Sequence, residues 1–199
     1  MRIFQNEVLM SGNEKSNNSP LPFRAGDAFW GNIFKKDRSQ EESIIAVLRQ
    51  VPLFNGIKKS GLNELVKLIH VRKYKADEAV FWEGEPGVGM YIMLDGVVAI
   101  FKETAKKQHE ELAQLKRGEF FGELALLDES PRSASAIAQE DSKILGLFRP
   151  ELIDLIEKKP RLGNTLLFNL AALIGERLKR TNDELQALWN KLEDSKVIT

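Results

Sequence analysis

The chain has no cysteine, which excludes disulfide bridges, thiolate zinc sites, iron–sulfur clusters and cysteine nucleophiles together. Histidine is nearly missing as well. His70 and His109 are the only two, they fall in different predicted elements, and His109-Glu110-Glu111 reads as a solvated hairpin tip rather than a metal site. No G-x-S-x-G, H-E-x-x-H or Walker pattern occurs, so the expectation is a protein that is not an enzyme and holds no metal. There is no excess of either charge: 29 Lys and Arg balance 29 Asp and Glu. A global field toward nucleic acid or an anionic membrane is therefore absent, although a local basic patch stays open. No run approaches the roughly 20 apolar residues of a membrane span, and the first residues, MRIFQNEVLMSGNEKSNNS, lack a signal-peptide core. Neither a nucleic-acid nor a membrane partner is expected, and the default location is cytoplasmic.

What is present suits a folded domain with extensions. Of the 199 residues, 43% are hydrophobic, enough for an ordinary core. Residues 1–40 read as an N-terminal extension. Within it, SGNEKSNNSP at 11–20 is a polar linker with too little apolar surface to offset the entropy of ordering it. The following FRAGDAFWGNIFKK carries Phe23, Phe29, Trp30 and Phe34, and it docks either on the domain or on a partner.

Residues 41–160 form the predicted domain. Ser39-Gln-Glu-Glu42 has capping-box spacing, and Ile44, Ile45, Val47 and Leu48 follow as an amphipathic helix. A second helix fits 61–70. From Val71 to Phe148 the texture changes to short β-type runs broken by glycines at 84, 87, 89, 96 and 118, which predicts a compact antiparallel sandwich or roll. MYIMLDGVVAIFK is the clearest strand pair, with Asp95-Gly96 as a hairpin turn. The glycines of GEPGVG at 84–89 have neither dinucleotide-fingerprint spacing nor a βαβ context, so they are turn glycines.

After Pro150 a helical period returns. ELIDLIEKK ends at Pro160, and a long pattern runs from about Leu162 to Glu193, within a predicted helical region at 161–194. It repeats in sevens, with Leu167, Ile174, Thr181 and Leu188 on one row and Ala171, Leu178, Leu185 and Leu192 on the other. Such a seam predicts a homodimer through 165–192. The alternative is a helix of about 45 Å folded back on its own domain. Thr181 is the one polar residue in the seam.

The stretch FGELALLDESPRSASA at 121–136 places Glu123 in an apolar run and Arg132 among small residues. Gly122-Glu-Leu-Ala, through Ala125, fits one short helical turn whose free N–H groups suit an anion. Arg132 adds a fork of donors that matches phosphate oxygens, and Ser133 and Ala134 are small enough to let backbone N–H groups approach the same anion. Glu123 would then face a donor elsewhere on the ligand, such as a ribose hydroxyl. Sugar and phosphate together make a nucleotide. The competing reading is that Glu123 and Arg132 pair with each other inside the roll.

This stretch resembles the phosphate-binding cassette of cyclic nucleotide-binding domains, the family of the bacterial catabolite activator protein and the regulatory subunits of cAMP-dependent protein kinase. VPLFNGI, FWEGEPG, MYIMLDGVVAIF and GEFFGELALL also occur in the family's order. The resemblance implies an α+β fold: an eight-stranded antiparallel β-roll, jelly-roll-like, flanked by N-terminal helices and a long C-terminal helix, with cAMP or cGMP bound inside. By position it makes Glu123 the acceptor of the ribose 2′-hydroxyl and Arg132 the clamp on the cyclic phosphate. Gly122, Leu124, Ala125, Ser133 and Ala134 complete the cassette, and Ile100 and Leu112 line the base and sugar. ERLKRTNDEL aligns with the family's C-terminal helix, which puts Thr181 and Asn182 on base-contacting positions and Arg177 near the pocket. A polar contact to the adenine amine favours cAMP over cGMP. DNA-binding members carry a helix-turn-helix after this helix; with about ten residues following Trp189, none is expected here. The implied function is a regulatory cyclic nucleotide sensor that signals through its C-terminal helix to an unidentified protein partner. The alternative is a ligand-free dimerisation or adaptor module of the same fold.

Overall fold

A computed structural model describes the backbone of residues 38–103 and 109–197. The linker at 11–20 and the aromatic stretch at 23–34 lie outside the described residues. Two helices, α1 (Arg38–Leu48) and α2 (Lys59–Leu68), precede the strands and are joined through a 3-10 turn at Pro52–Phe54. Ser39 lies inside the described part of α1 rather than before it. The second helix runs two residues earlier than its pattern suggested, because His70 already belongs to the first strand. Among the described residues no helix is long and apolar enough to cross a membrane.

Eight strands follow: β1 (His70–Tyr74), β2 (Ala79–Phe81), β3 (Gly89–Asp95), β4 (Val98–Glu103), β5 (His109–Leu115), β6 (Phe120–Phe121), β7 (Ser135–Ala138) and β8 (Ser142–Phe148). They form two four-stranded antiparallel sheets in the orders β1-β8-β3-β6 and β2-β7-β4-β5. This is the expected β-roll. His109 and Glu110 sit exposed at the start of β5, paired with Glu103 and Lys102.

Side chains of a strand alternate between faces, and β3 uses both. Met90, Ile92 and Leu94 join Leu145 and Leu147 of β8 in a core beneath the helices, which contribute Ile44, Leu48, Leu62 and Leu65. Tyr91 and Met93 face the other way, into the roll, with Ile144, Phe148, Phe81, Phe121 and Val98. An almost wholly apolar MYIML is what a strand buried on two sides requires.

The turn at Asp95-Gly96 corrects one expectation. β3 and β4 do not pair; they belong to different sheets, and the turn is the corner between them. Gly96 has a positive φ of 86°, and a Cβ on it would stand 2.2 Å from Ser142 Oγ. That hydroxyl donates to the carbonyls of Glu140 at 2.8 Å and Val97 at 3.3 Å, so it clasps the corner onto the start of β8.

The last strand runs into α3 (Arg149–Lys158), with Pro150 in the first turn, where its missing N–H costs nothing. Pro160 then opens α4 (Pro160–Val197). A Cβ on Gly163 would lie 2.6 Å from Ile156 Cα, so the two helices touch backbone to backbone. The base of α4 is anchored by buried Leu166 and Leu170 and by Asn169, whose Nδ2 donates to the Leu53 and Asn55 carbonyls at 2.8 and 3.0 Å. Beyond Ile174 every α4 residue with a described side chain, through Glu193, is exposed. At 1.5 Å per residue α4 is about 57 Å long, and Leu178, Leu185, Leu188, Trp189 and Leu192 are each 52–60% exposed. The helix overhangs the domain instead of folding back on it.

Gly96→Ala should lower the urea midpoint with the slope unchanged. The backbone conformation alone costs about 1 kcal/mol, and contact with Ser142 adds to it.

Candidate functional site

The site is built where one loop needs a left-handed residue. Gly122, with φ of 71°, turns the chain from β6 into a single helical turn, Glu123–Leu126. That turn is locked against the 84–89 loop. A Cβ on Gly87 would lie 2.8 Å from the Ala125 Cβ and 2.9 Å from the Ser130 carbonyl oxygen, and Pro86 bridges Pro131. The glycines of GEPGVG thus serve turns and close packing, as their spacing suggested. Ser130 donates to Asp128 from its backbone at 3.2 Å and its hydroxyl at 2.7 Å, shaping the turn before Arg132.

Arg132 is only 7% exposed. Its Nη2 donates to the Gly89 carbonyl at 2.8 Å and its Nη1 to the Gly122 carbonyl at 3.2 Å. The guanidinium lies over the Phe81 ring at 4.2 Å and near that of Tyr91 at 5.4 Å. Its Nε–H is buried and has no hydrogen-bond partner among the described residues, and no carboxylate among them lies within ion-pair distance. Desolvation pushes its pKa below the ordinary arginine value. Glu85 and Glu123 act on this charge only from beyond ion-pair contact, so a buried cation keeps a donor that an anion could use.

Glu123, 4% exposed, does not pair with Arg132. Its Oε1 accepts from Nη1 of Arg177, which reaches down from α4 and sits 5.2 Å from the Phe120 ring. The competing reading of the sequence, a mutual Glu123–Arg132 pair, is therefore not what the chain adopts. One end of the cavity offers a cation and the other an acceptor.

Both ends belong to one cavity of about 460 Å³. Ile100, Gly122, Glu123, Leu124, Ala125, Arg132, Ser133, Ala134 and Arg177, nine of the twelve residues singled out from the sequence, line it. Three do not. Leu112 is 54% exposed because β5 bulges there: Ile100 faces Ala113, the next pair is Phe101 with Glu111, and Leu112 is left over. Ala113 and Leu115 take the inward positions instead. Thr181 and Asn182 lie on the exposed overhang of α4, beyond Arg177. The sequence reading also missed Phe81, Phe120 and Phe121, which supply the apolar wall. Their place in the FWEGEPG and GEFFGELALL motifs was the available signal.

Comparison with known proteins bears on the family and the fold. The profile of the cyclic nucleotide-binding domain matches residues 71–159. The chain carries a cyclic nucleotide-binding domain. It is 37% identical over 137 residues to the cyclic AMP receptor protein of Thermus thermophilus, covering 69% of this chain and 62% of that one. It superposes on the crystal structure of the Thermus thermophilus catabolite activator protein with a TM-score of 0.63, at 37% identity and the same coverage. Against the regulatory domain of Toxoplasma gondii PKA solved with cAMP the TM-score is 0.57, at 28% identity, over 60% of this chain and 46% of that one. The chain spans about three fifths of the length of the first bacterial relatives it matches.

Because Arg177 is half exposed and Glu123 is not, the loss on breaking their pair falls between the surface and buried limits. Arg177→Ala should cost about 1–2 kcal/mol. Adding Glu123→Gln should recover part of that, giving a coupling of about 1 kcal/mol in a denaturation double-mutant cycle.

Proposed function

We propose that this chain is a regulatory cyclic nucleotide sensor with cAMP as its ligand. The observation that carries the reading is Arg132: a desolvated guanidinium with an unpartnered Nε–H, set in a cavity whose far end holds a buried carboxylate. The cyclic phosphate supplies the anion that Arg132 lacks. Ser133 and Ala134 are small enough for their backbone to close around it. The ribose 2′-hydroxyl donates to Glu123, and Ile100, Ala113 and Leu115 give the base an apolar surface.

Arg177 couples this chemistry to α4. It holds Glu123, so a ribose that claims the same carboxylate changes what the helix is tied to. The exposed row of Leu178, Leu185 and Leu192 suits a second copy of the chain, joined through 165–192. In such a dimer Thr181 and Asn182, which lie outside this chain's own cavity, are the groups available to meet the adenine of the partner's ligand. That gives the preference for cAMP over cGMP a physical source. The relay ends on a protein partner rather than in catalysis.

Two measurements test this. Calorimetric titration should show saturable cAMP binding, with cGMP weaker, and Arg132→Ala should weaken cAMP roughly 30- to 5,000-fold, corresponding to about 2–5 kcal/mol for truncating a buried charged partner. Absence of any cAMP heat or thermal shift in the parent chain would favour the adaptor reading, in which Arg177 keeps Glu123 permanently. Separately, Leu178→Glu with Leu185→Glu should convert a dimer to a monomer by light scattering, while the thermal transition of the domain persists.

A further inference from the structure

From Asp128 to Ala134 the chain runs along the nucleotide cavity, and every residue of that run lines it except Glu129. Glu129 is held from outside. Its Oε1 accepts from Nη1 of Arg149, the first residue of α3, at 2.6 Å. The later half of the run is already fastened to the 84–89 loop, since the Arg132 N–H donates to the Glu85 carbonyl and the Arg132 carbonyl accepts from Gly84 N–H, both at 2.8 Å. The earlier half is bonded within itself among the described residues. Leu127 and Asp128 donate to the Leu124 carbonyl at 2.9 and 3.2 Å, and Ser130 donates to Asp128. The Glu129 carboxylate is its polar tie to the rest of the domain.

Arg149 is badly placed for helix stability. The free N–H groups at the start of a helix carry partial positive charge, so that end favours acidic residues over an arginine. Its position serves the loops instead. The Arg149 backbone N–H donates to the Val88 carbonyl at 3.0 Å, one residue before the Gly89 carbonyl that Arg132 holds. Two arginines thus clamp the same pair of loops, Arg132 from within the roll and Arg149 from outside it. The outer pair is screened by solvent, with Arg149 32% and Glu129 82% exposed, so its effect is modest.

We propose that Arg149 is a positioning residue for the nucleotide site, acting through Glu129 to hold the 128–131 turn against the cavity. The role rests on the nucleotide reading for its ligand but not for its geometry, so it is tested with and without cAMP. In the full, ligand-free chain, hydrogen–deuterium exchange at 127–134 should quicken about two- to fivefold in Arg149→Gln and in Glu129→Gln, and cAMP affinity by calorimetry should fall by a similar factor. The swap Arg149→Glu with Glu129→Arg should bring both back to within about a factor of two of the parent. Tm should stay level in Arg149→Gln, because removing a cation from the helix start offsets the lost pair. The proposal is overturned by unchanged exchange in both single variants, by faster exchange with cAMP affinity unchanged, or by a swap that restores neither. A parent chain that binds no cAMP overturns the nucleotide reading instead, and exchange at 127–134 still decides whether Arg149 holds the turn.

Discussion

Most of the site hangs on the guanidinium of Arg132 and the two carbonyls it holds. Gly89 begins β3 and Gly122 precedes the short helical turn, so one side chain joins two segments that are distant in sequence. The aromatic floor of Phe81 and Tyr91 lets that charge sit where water does not. Main-chain carbonyls satisfy two of its nitrogens without neutralising it. The guanidinium thus keeps its charge inside the roll while it ties the two segments together.

The two cores explain how the frame around this arginine stays rigid. β3 and β8 form the wall between them, apolar on the helix side through Ile92 and Leu145 and on the roll side through Tyr91 and Ile144. A shift in that wall would disturb both cores at once, so the Gly89 carbonyl at its end is a fixed point. α4 is the opposite case. It is anchored at Asn169 and Leu170 and, among the described side chains, exposed from Gly175 to Glu193, so the two cores that fix β3 and β8 do not reach its far end.

Much of this was legible in the sequence because each signal was local. The Gly122–Ala125 turn, the small residues after Arg132 and the helical period of α4 are all short-range features. The failures were non-local. Asp95-Gly96 between two alternating runs reads as a hairpin whether the chain returns beside itself or crosses to another sheet, and only the contact of Gly96 with Ser142 decides it. Leu112 was placed in the pocket by likeness to a family, while the register that turns Ala113 inward instead is set by pairing with β4. The partner of Glu123 lies 54 residues away on α4, a distance that spacing rules do not reach. Arg177 was placed near the pocket by likeness to a family, while its ion pair with Glu123 became visible only in the folded chain.

The absence of a side chain at Gly163 lets α3 and α4 meet at van der Waals contact of their backbones, with nothing compressible between them. Such a joint transmits rotation without absorbing it. About 40 Å of helix projects past Leu170, so a tilt of about 10° at the base would sweep the far tip through about 7 Å. Movements too small to disturb the core would thus arrive at the end of the helix as displacements larger than a side chain.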